Sequence, residues 1–166
     1  MPAIAQRITP FLWFDDQAEQ AVALYTSIFK NSKVLATTRY SKEAEQVAGR
    51  PAGSVMTIGF RLEGQEFTAL NGGPAFKFNE AVSLVVHCRS QEELDHYWDR
   101  LSEGGDPQAQ QCGWLKDRFG LCWQVVPDQL TELLSDPDPA KAGRTMAAML
   151  KMKKLDLPAL ERAAAG

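Results

Sequence analysis

The apolar positions of this chain follow two alternating rhythms, and the order of the rhythms occurs twice. ITPFLWF, residues 8–14, is an apolar run bounded by Asp15-Asp16 and predicts a strand. Ala18, Ala21, Val22, Tyr25, Ile28 and Phe29 then fall at i, i+3, i+4 and i+7 spacing, the stripe of an amphipathic helix ending near Asn31-Ser32. Asp16 and Glu19 have capping-box spacing at its start, with Asp in place of the usual Ser or Thr. A strand over 33–40, a polar loop over 41–52 and a long hairpin over 53–73 follow, the hairpin turning at Glu63-Gly64 and ending in the chain break Gly72-Gly73-Pro74. The opening pattern then returns. SLVVHC, residues 83–88, is a second strand, Ser90-x-x-Glu93 a capping box, and Leu94, Tyr97, Trp98 and Leu101 the stripe of a second helix closed by Gly104-Gly105.

Residues 111–127, QCGWLKDRFGLCWQVVP, predict a further hairpin, two aromatic and β-branched runs flanking Asp117-Arg118-Phe119-Gly120. A four-residue connection sets Lys116 opposite Leu121, Leu115 opposite Cys122, Trp114 opposite Trp123 and Gly113 opposite Gln124. Alternation then puts Cys112, Trp114, Trp123 and Val125 on a face suited to packing under a helix. Gly113, Leu115, Cys122, Gln124 and Val126 take the other face, suited to lining a cavity. Gln124 reads either as a satisfied core amide or as a polar group of that cavity. A helical tail follows, over 128–134, 140–152 and a short piece at 159–164.

Composition narrows this little: 166 residues, 45% hydrophobic and 23% charged, describe an ordinary globular chain of one domain or two half-size modules. A net charge of −3 argues against a nucleic-acid or anionic-membrane partner. No apolar run is long enough for a membrane span, and MPAIAQRITP has no export-signal core. Cys88, Cys112 and Cys122 are an odd set, read as reduced thiols of a cytoplasmic protein.

Four segments in linked order carry a family resemblance: ITPFLWFDDQAEQAVALYTSIF, FTALNGGPAFKFNEAVSLVVHC, QCGWLKDRFGLCWQVVP and TMAAMLKMKKLDLPALERA. Together they resemble the vicinal-oxygen-chelate superfamily of glyoxalase, bleomycin-resistance and dioxygenase proteins, and within it the PhnB-like group, also labelled demethylubiquinone methyltransferase-like. The resemblance implies an α+β fold of paired βαβββ modules whose mixed, curved sheets surround a cleft, with a C-terminal helical tail. It implies a glyoxalase-like domain over 1–136, with modules at about 5–78 and 79–127, and a tail over 137–166. The second module is short by a strand or has one reduced.

Metal-dependent relatives take their ligands from the first and last strand of each module. Carried onto this chain, those places are Thr9, Thr68, Ser83 and Gln124, three hydroxyls and an amide that supply no charge to a divalent ion. His87 lies on the same face of its strand as Ser83, and reads equally as a strand-end histidine bonded to a carbonyl. No bound metal and no cofactor are therefore expected. No glycine-rich loop opens a helix after a first strand, and no HExxH, CxxC or G-x-S-x-G is present. Parity from Thr9 points Phe11 and Trp13 inward, joined by Leu70 or Asn71, His87, Leu115, Cys122 and Gln124, a mixture that suits a small-molecule site and also a plain core. The expected substrate-binding set is thus Thr9, Trp13, Thr68, Asn71, Ser83, His87, Cys122 and Gln124. Asp15 and Asp16 read as caps, and Cys122 as a small buried hydrophobe. The function expected is metal-independent binding of a small molecule, the alternative being an enzyme of the same superfamily with an unrevealed cofactor. A homodimer is expected, with Met146, Met149 and Leu150 on one tail face contributing.

Overall fold

The computed structural model describes residues 6–166. The first five residues of MPAIAQRITP, and with them the start of the 5–78 module, lie outside the described part. The chain divides into two compact units, Met1–Phe78 and Asn79–Gly166.

The first unit runs β1 (Phe11–Phe14), α1 (Ala18–Ile28), β2 (Ser32–Arg39), α2 (Lys42–Ala48), β3 (Val55–Leu62) and β4 (Gln65–Asn71). Its sheet has the order β1-β4-β3-β2, with β1 parallel to β4 and the other pairs antiparallel. The strand expected from residue 8 begins only at Phe11. Pro10 has no N–H to give the ladder, although its carbonyl accepts from Thr68 N at 3.0 Å. All six apolar stripe residues of α1 are buried, against Leu12, Phe14, Ile58, Phe60, Phe67 and Ala69 of the sheet. Stacked rings of Tyr25, Phe60 and Phe67 form the centre of that layer.

Two local expectations fail in this unit. The stretch read as a polar loop contains α2, whose start is capped by Ser41, its hydroxyl accepting from Ala44 N at 3.3 Å. That helix buries no residue, so it has no apolar face for periodicity to reveal. Nor does Asp16 cap α1. The N-cap is Gln17, without a side-chain bond, and the capping is done from across the sheet by Asn71. Its Oδ1 accepts from Ala18 N at 2.9 Å, and its Nδ2 donates to Glu19 Oε2 at 2.8 Å and Val55 O at 3.1 Å. Tyr40 adds a hydroxyl bond to the Asn71 carbonyl at 2.5 Å.

The second unit runs β5 (Leu84–Cys88), α3 (Gln91–Ser102), β6 (Trp114–Lys116), β7 (Cys122–Pro127), α4 (Leu130–Leu134), α5 (Pro139–Met149) and α6 (Leu157–Ala165). Its sheet is β5-β7-β6 with β5 parallel to β7, the first unit's order without the outermost strand. Between α3 and β6 the described chain has only a 3₁₀ turn, Pro107–Ala109. The Ser90 box forms as expected, Ser90 Oγ accepting from Glu93 N at 3.2 Å and Glu93 returning a carboxylate to Arg89 N at 2.7 Å. Leu94, Tyr97, Trp98 and Leu101 are buried.

The tail belongs to this unit. Cys112 and Gly113 make a tight turn with φ 51° and 85°, and their N–H groups donate outward to Met152 O at 2.9 Å and Lys153 O at 2.8 Å. A Cβ on Gly113 would lie 3.1 Å from both Leu155 and the Val125 carbonyl, so the glycine serves contact as well as conformation. Leu155, Leu157 and Leu160 are buried, and Gln91 of α3 donates to Leu155 O at 3.0 Å and accepts from Leu157 N at 2.7 Å.

The hairpin register differs from expectation by one residue. Trp114 pairs with Gln124, Leu115 with Trp123 and Lys116 with Cys122. The connection is 117–121 because the Asp117 carboxylate accepts from Phe119 N at 2.9 Å and Leu121 N at 3.1 Å, drawing Leu121 into the loop. A one-residue shift exchanges faces. Leu115, Trp123 and Val125 are the residues buried together, and Trp114 moves to the side of Gln124.

Asn71→Ala leaves the buried Ala18 N–H without its cap and removes the amide bonds to Glu19 and the half-buried Val55 carbonyl. The variant is expected to lose about 2–3 kcal/mol in urea denaturation with an unchanged m-value.

Candidate functional site

Each sheet has one face under its helix and one free of it, and strand parity distributes the expected residues between them. In the first unit Leu12, Phe14, Ala69 and Asn71 belong to the helix side, and Phe11, Trp13, Thr68 and Leu70 to the helix-free side. Asn71 therefore leaves the candidate set: it is 1% exposed and occupied as the α1 cap. Thr9 is exposed and precedes β1. Thr68 is half-buried and paired with Phe11, which is 59% exposed.

Trp13 is the most constrained residue of that face. Its Nε1 donates to Gly73 O at 2.9 Å, and Phe76 meets it edge-on with ring centroids 4.9 Å apart. The indole lies so close over Gly72 that a Cβ there would come within 2.4 Å of its ring. Gly72 thus acts through close approach, which holds the indole in one orientation.

The helix-free face of the second sheet brings together Ser83, Cys122 and Gln124. Gln124 Nε2 donates to Ser83 Oγ at 2.9 Å, so the amide is partly satisfied by a neighbour that also lies at the rim of the sheet. Cys122 is 2% exposed beside them. His87, paired with Val126, lies farther along the same face and is exposed. Leu115, expected here, is on the helix side for the register reason given above. Trp114 and Lys116 take its place, unanticipated because the expected register turned Trp114 the other way. Lys116 is ion-paired to Glu80.

The electrostatics favour the neutral thiol at the two buried cysteines. Burial pushes the Cys122 thiol up, with the Glu80 and Asp117 charges adding to it and Lys116 opposing. Burial pushes Cys88 up to about 12, reinforced by Glu93 and Asp128. The Glu80–Lys116 hydrogen bond lowers the carboxyl and raises the ammonium, so the pair is fully charged at neutral pH. A divalent transition ion does not fit the donors at the four strand places: Thr9, Thr68, Ser83 and Gln124 are all neutral, and two of them are bonded to each other. No group of three or more His, Cys, Asp or Glu side chains that could hold a metal ion occurs among the described residues. Among those residues no helix is long and apolar enough to cross a membrane.

The family model for 3-demethylubiquinone-9 3-methyltransferase matches residues 6–126. A PhnB protein from Bacillus cereus is 32% identical, over 74% of this chain and 99% of that one, with a TM-score of 0.63. Protein PA1353 from Pseudomonas aeruginosa is similar in fold at 20% identity, over 74% of this chain and 98% of that one, TM-score 0.56. So is the fosfomycin resistance protein FosX from Listeria monocytogenes, solved with Mn(II) and sulfate, at 15% identity over 72% and 89%, TM-score 0.50. No curated protein matches the sequence. The methyltransferase description implies a methyl-donor cofactor, and the residues present do not form a glycine-loop cradle for one: no helix opens after Gly72-Gly73-Pro74.

Alkylation at pH 8 is expected to label the half-buried Cys112 first, with Cys88 and Cys122 labelled only on unfolding, read by peptide mass spectrometry. The raised Cys88 value also carries a sign for stability. An unfolded thiol ionises near 9.0 and the folded one near 12, so its contribution is complete below pH 9 and is lost as pH rises through that window. Cys88→Ala is expected to flatten that loss in denaturation midpoints measured against pH.

Proposed function

The chain belongs to the 3-demethylubiquinone-9 3-methyltransferase family, a PhnB-like group of the vicinal-oxygen-chelate superfamily, and from that premise we propose that it binds a small, partly apolar molecule without a tightly bound metal. The observation that carries the reading is the neutral donor set: hydroxyls and an amide stand where metal-dependent members need charge, while aromatic residues share the same faces. On the first sheet the proposed ligand contacts are Trp13 and Thr68, with Thr9 at the strand entrance. On the second they are Ser83, Cys122 and Gln124, with His87 at the far end. Apolar walls with a few polar groups are what such ligands need. In this proposal residues 1–136 form the ligand-binding domain, with modules at about 5–78 and 79–127, and residues 137–166 brace it as a tail. Three free cysteines support a cytoplasmic setting.

A thermal-shift screen tests the binding, since a ligand present at 100 times its Kd adds about 2.7 kcal/mol. A hit is expected whose shift is lost in Gln124→Ala for a ligand held on the second sheet, or in Trp13→Ala for one held on the first. Elemental analysis of the purified protein tests the other half. Zn, Ni, Mn or Fe at one equivalent per chain would overturn metal independence.

We also propose a homodimer. Met146 and Leu150, one helical turn apart near the end of α5, remain exposed although the leucines after them are buried. Light scattering is expected to give twice the chain mass at micromolar concentration, and Met146→Glu with Leu150→Glu is expected to give the monomer mass without loss of fold.

A further inference from the structure

Lys116 is the only Lys or Arg among the strand residues of the second sheet. It pairs across the ladder with Cys122, on the face that also carries Ser83 and Gln124. Its ammonium is engaged by Glu80, a residue outside every strand and helix of the unit. We infer, building on the ligand-binding reading above, that Lys116 is an anion subsite for the carboxylate or other oxyanion of an organic ligand, and that Glu80 fills the subsite until the ligand displaces it.

The observations bearing on this concern the two ends of the pair and its surroundings. Glu80 is loosely held. Its side chain is 69% exposed, and the short turn that bears it carries a bond from Ala81 N to Asn79 Oδ1 at 2.9 Å and one from the Glu80 backbone to its own carboxylate. An ion pair whose carboxylate lies in solvent is weak, so another anion replaces that carboxylate without disturbing the core. Lys116 is bound the other way, because its backbone is a rung of the β6–β7 ladder and its position follows from the hairpin register. A compact ammonium on a flexible stem can transfer from one oxyanion to another without a change of backbone.

Around Lys116 the face provides what a carboxylate and its carrier require. Ser83 accepts from Gln124, and among the described residues no acceptor takes the Ser83 hydroxyl proton, which leaves a donor for the anion. In the next row Trp114 and Val85 flank Gln124 on its two sides, and Val85 is among the exposed apolar residues. The ligand class that fits is therefore a monoanion attached to a planar or compact apolar body. A plain structural role for the pair, bracing the turn, predicts no tightening of anion binding on loss of the Glu80 charge, because Lys116 would then take no part in the ligand's binding.

The test uses the full chain, with 2-naphthoate as probe, 2-naphthamide as its neutral counterpart and acetate as an anion without a body, titrated by calorimetry. The naphthoate is expected to bind at least tenfold more tightly than the amide, and acetate more weakly than either. Glu80→Gln is expected to tighten naphthoate binding several-fold and leave the amide unchanged. Lys116→Met is expected to reduce naphthoate to the level of the amide, and Lys116→Gln, measured alongside with its melting temperature, guards against a folding defect. Equal binding of naphthoate and amide overturns the anion subsite and leaves the ligand-binding reading standing, as does weaker naphthoate binding in Glu80→Gln. Absence of binding by all three probes to millimolar concentration also overturns the subsite, while the broader reading then rests on its own thermal-shift screen.

Discussion

A buried carboxylate sets the geometry of the second unit. Asp117 is 2% exposed, and it is kept from being an isolated charge by N–H donors that include the backbone of Phe119 and Leu121 and the Trp123 indole at 2.9 Å. Those bonds determine where the loop ends, hence which residue faces Lys116, and hence the face of every side chain between 114 and 126. Removing one donor would leave charge unshared in a core that includes Trp123. The placement of Gln124, Trp114 and Lys116 on a common face is thus a consequence of loop chemistry several residues away.

The first unit has a buried polar residue of its own, at the end of β4, with a different task. Asn71 joins the start of α1 to the end of β4 and to Val55, so one amide ties helix to sheet. Both units place a fully bonded polar group where an apolar one would give less definition, which is how buried polar networks specify one arrangement over its neighbours. Asn71 and Asp117 are engaged within the fold, whereas the Ser83 hydroxyl proton has no acceptor among the described residues.

Legibility of the fold in the sequence tracked the range of the interactions concerned. The stripes of α1 and α3, the Glu63-Gly64 turn and the Ser90 box depend on neighbours within a few positions, and they read correctly. α2 was hidden because a helix with no buried face has no period to detect. The α1 cap was hidden because its acceptor lies 53 residues from Ala18. The hairpin register depended on a side chain bonding into its own loop, which spacing alone does not disclose. Of the candidate site, Ser83 and Gln124 come together from the family resemblance, which puts both at strand places of the second module. Trp114 and Lys116 are not legible there, since both follow the register, and Asn71 lies three residues from Thr68 on β4, so alternation puts the two on opposite faces.

The missing outer strand of the second sheet has a consequence for the order in which the molecule is made. The first unit is complete once Phe78 has been synthesised, and all its ladder partners precede that point. The second unit is not complete when its last strand is. Cys112 and Gly113 obtain their acceptors only from Met152 and Lys153, and the core place beside Gly113 is filled only by Leu155. Contacts between residues far apart in sequence carry a larger loop-closure cost and form more slowly. A nascent chain therefore carries one finished half and one open half over most of the tail's translation, and the interval during which it is exposed to proteases and to misassociation is set by the length of that tail.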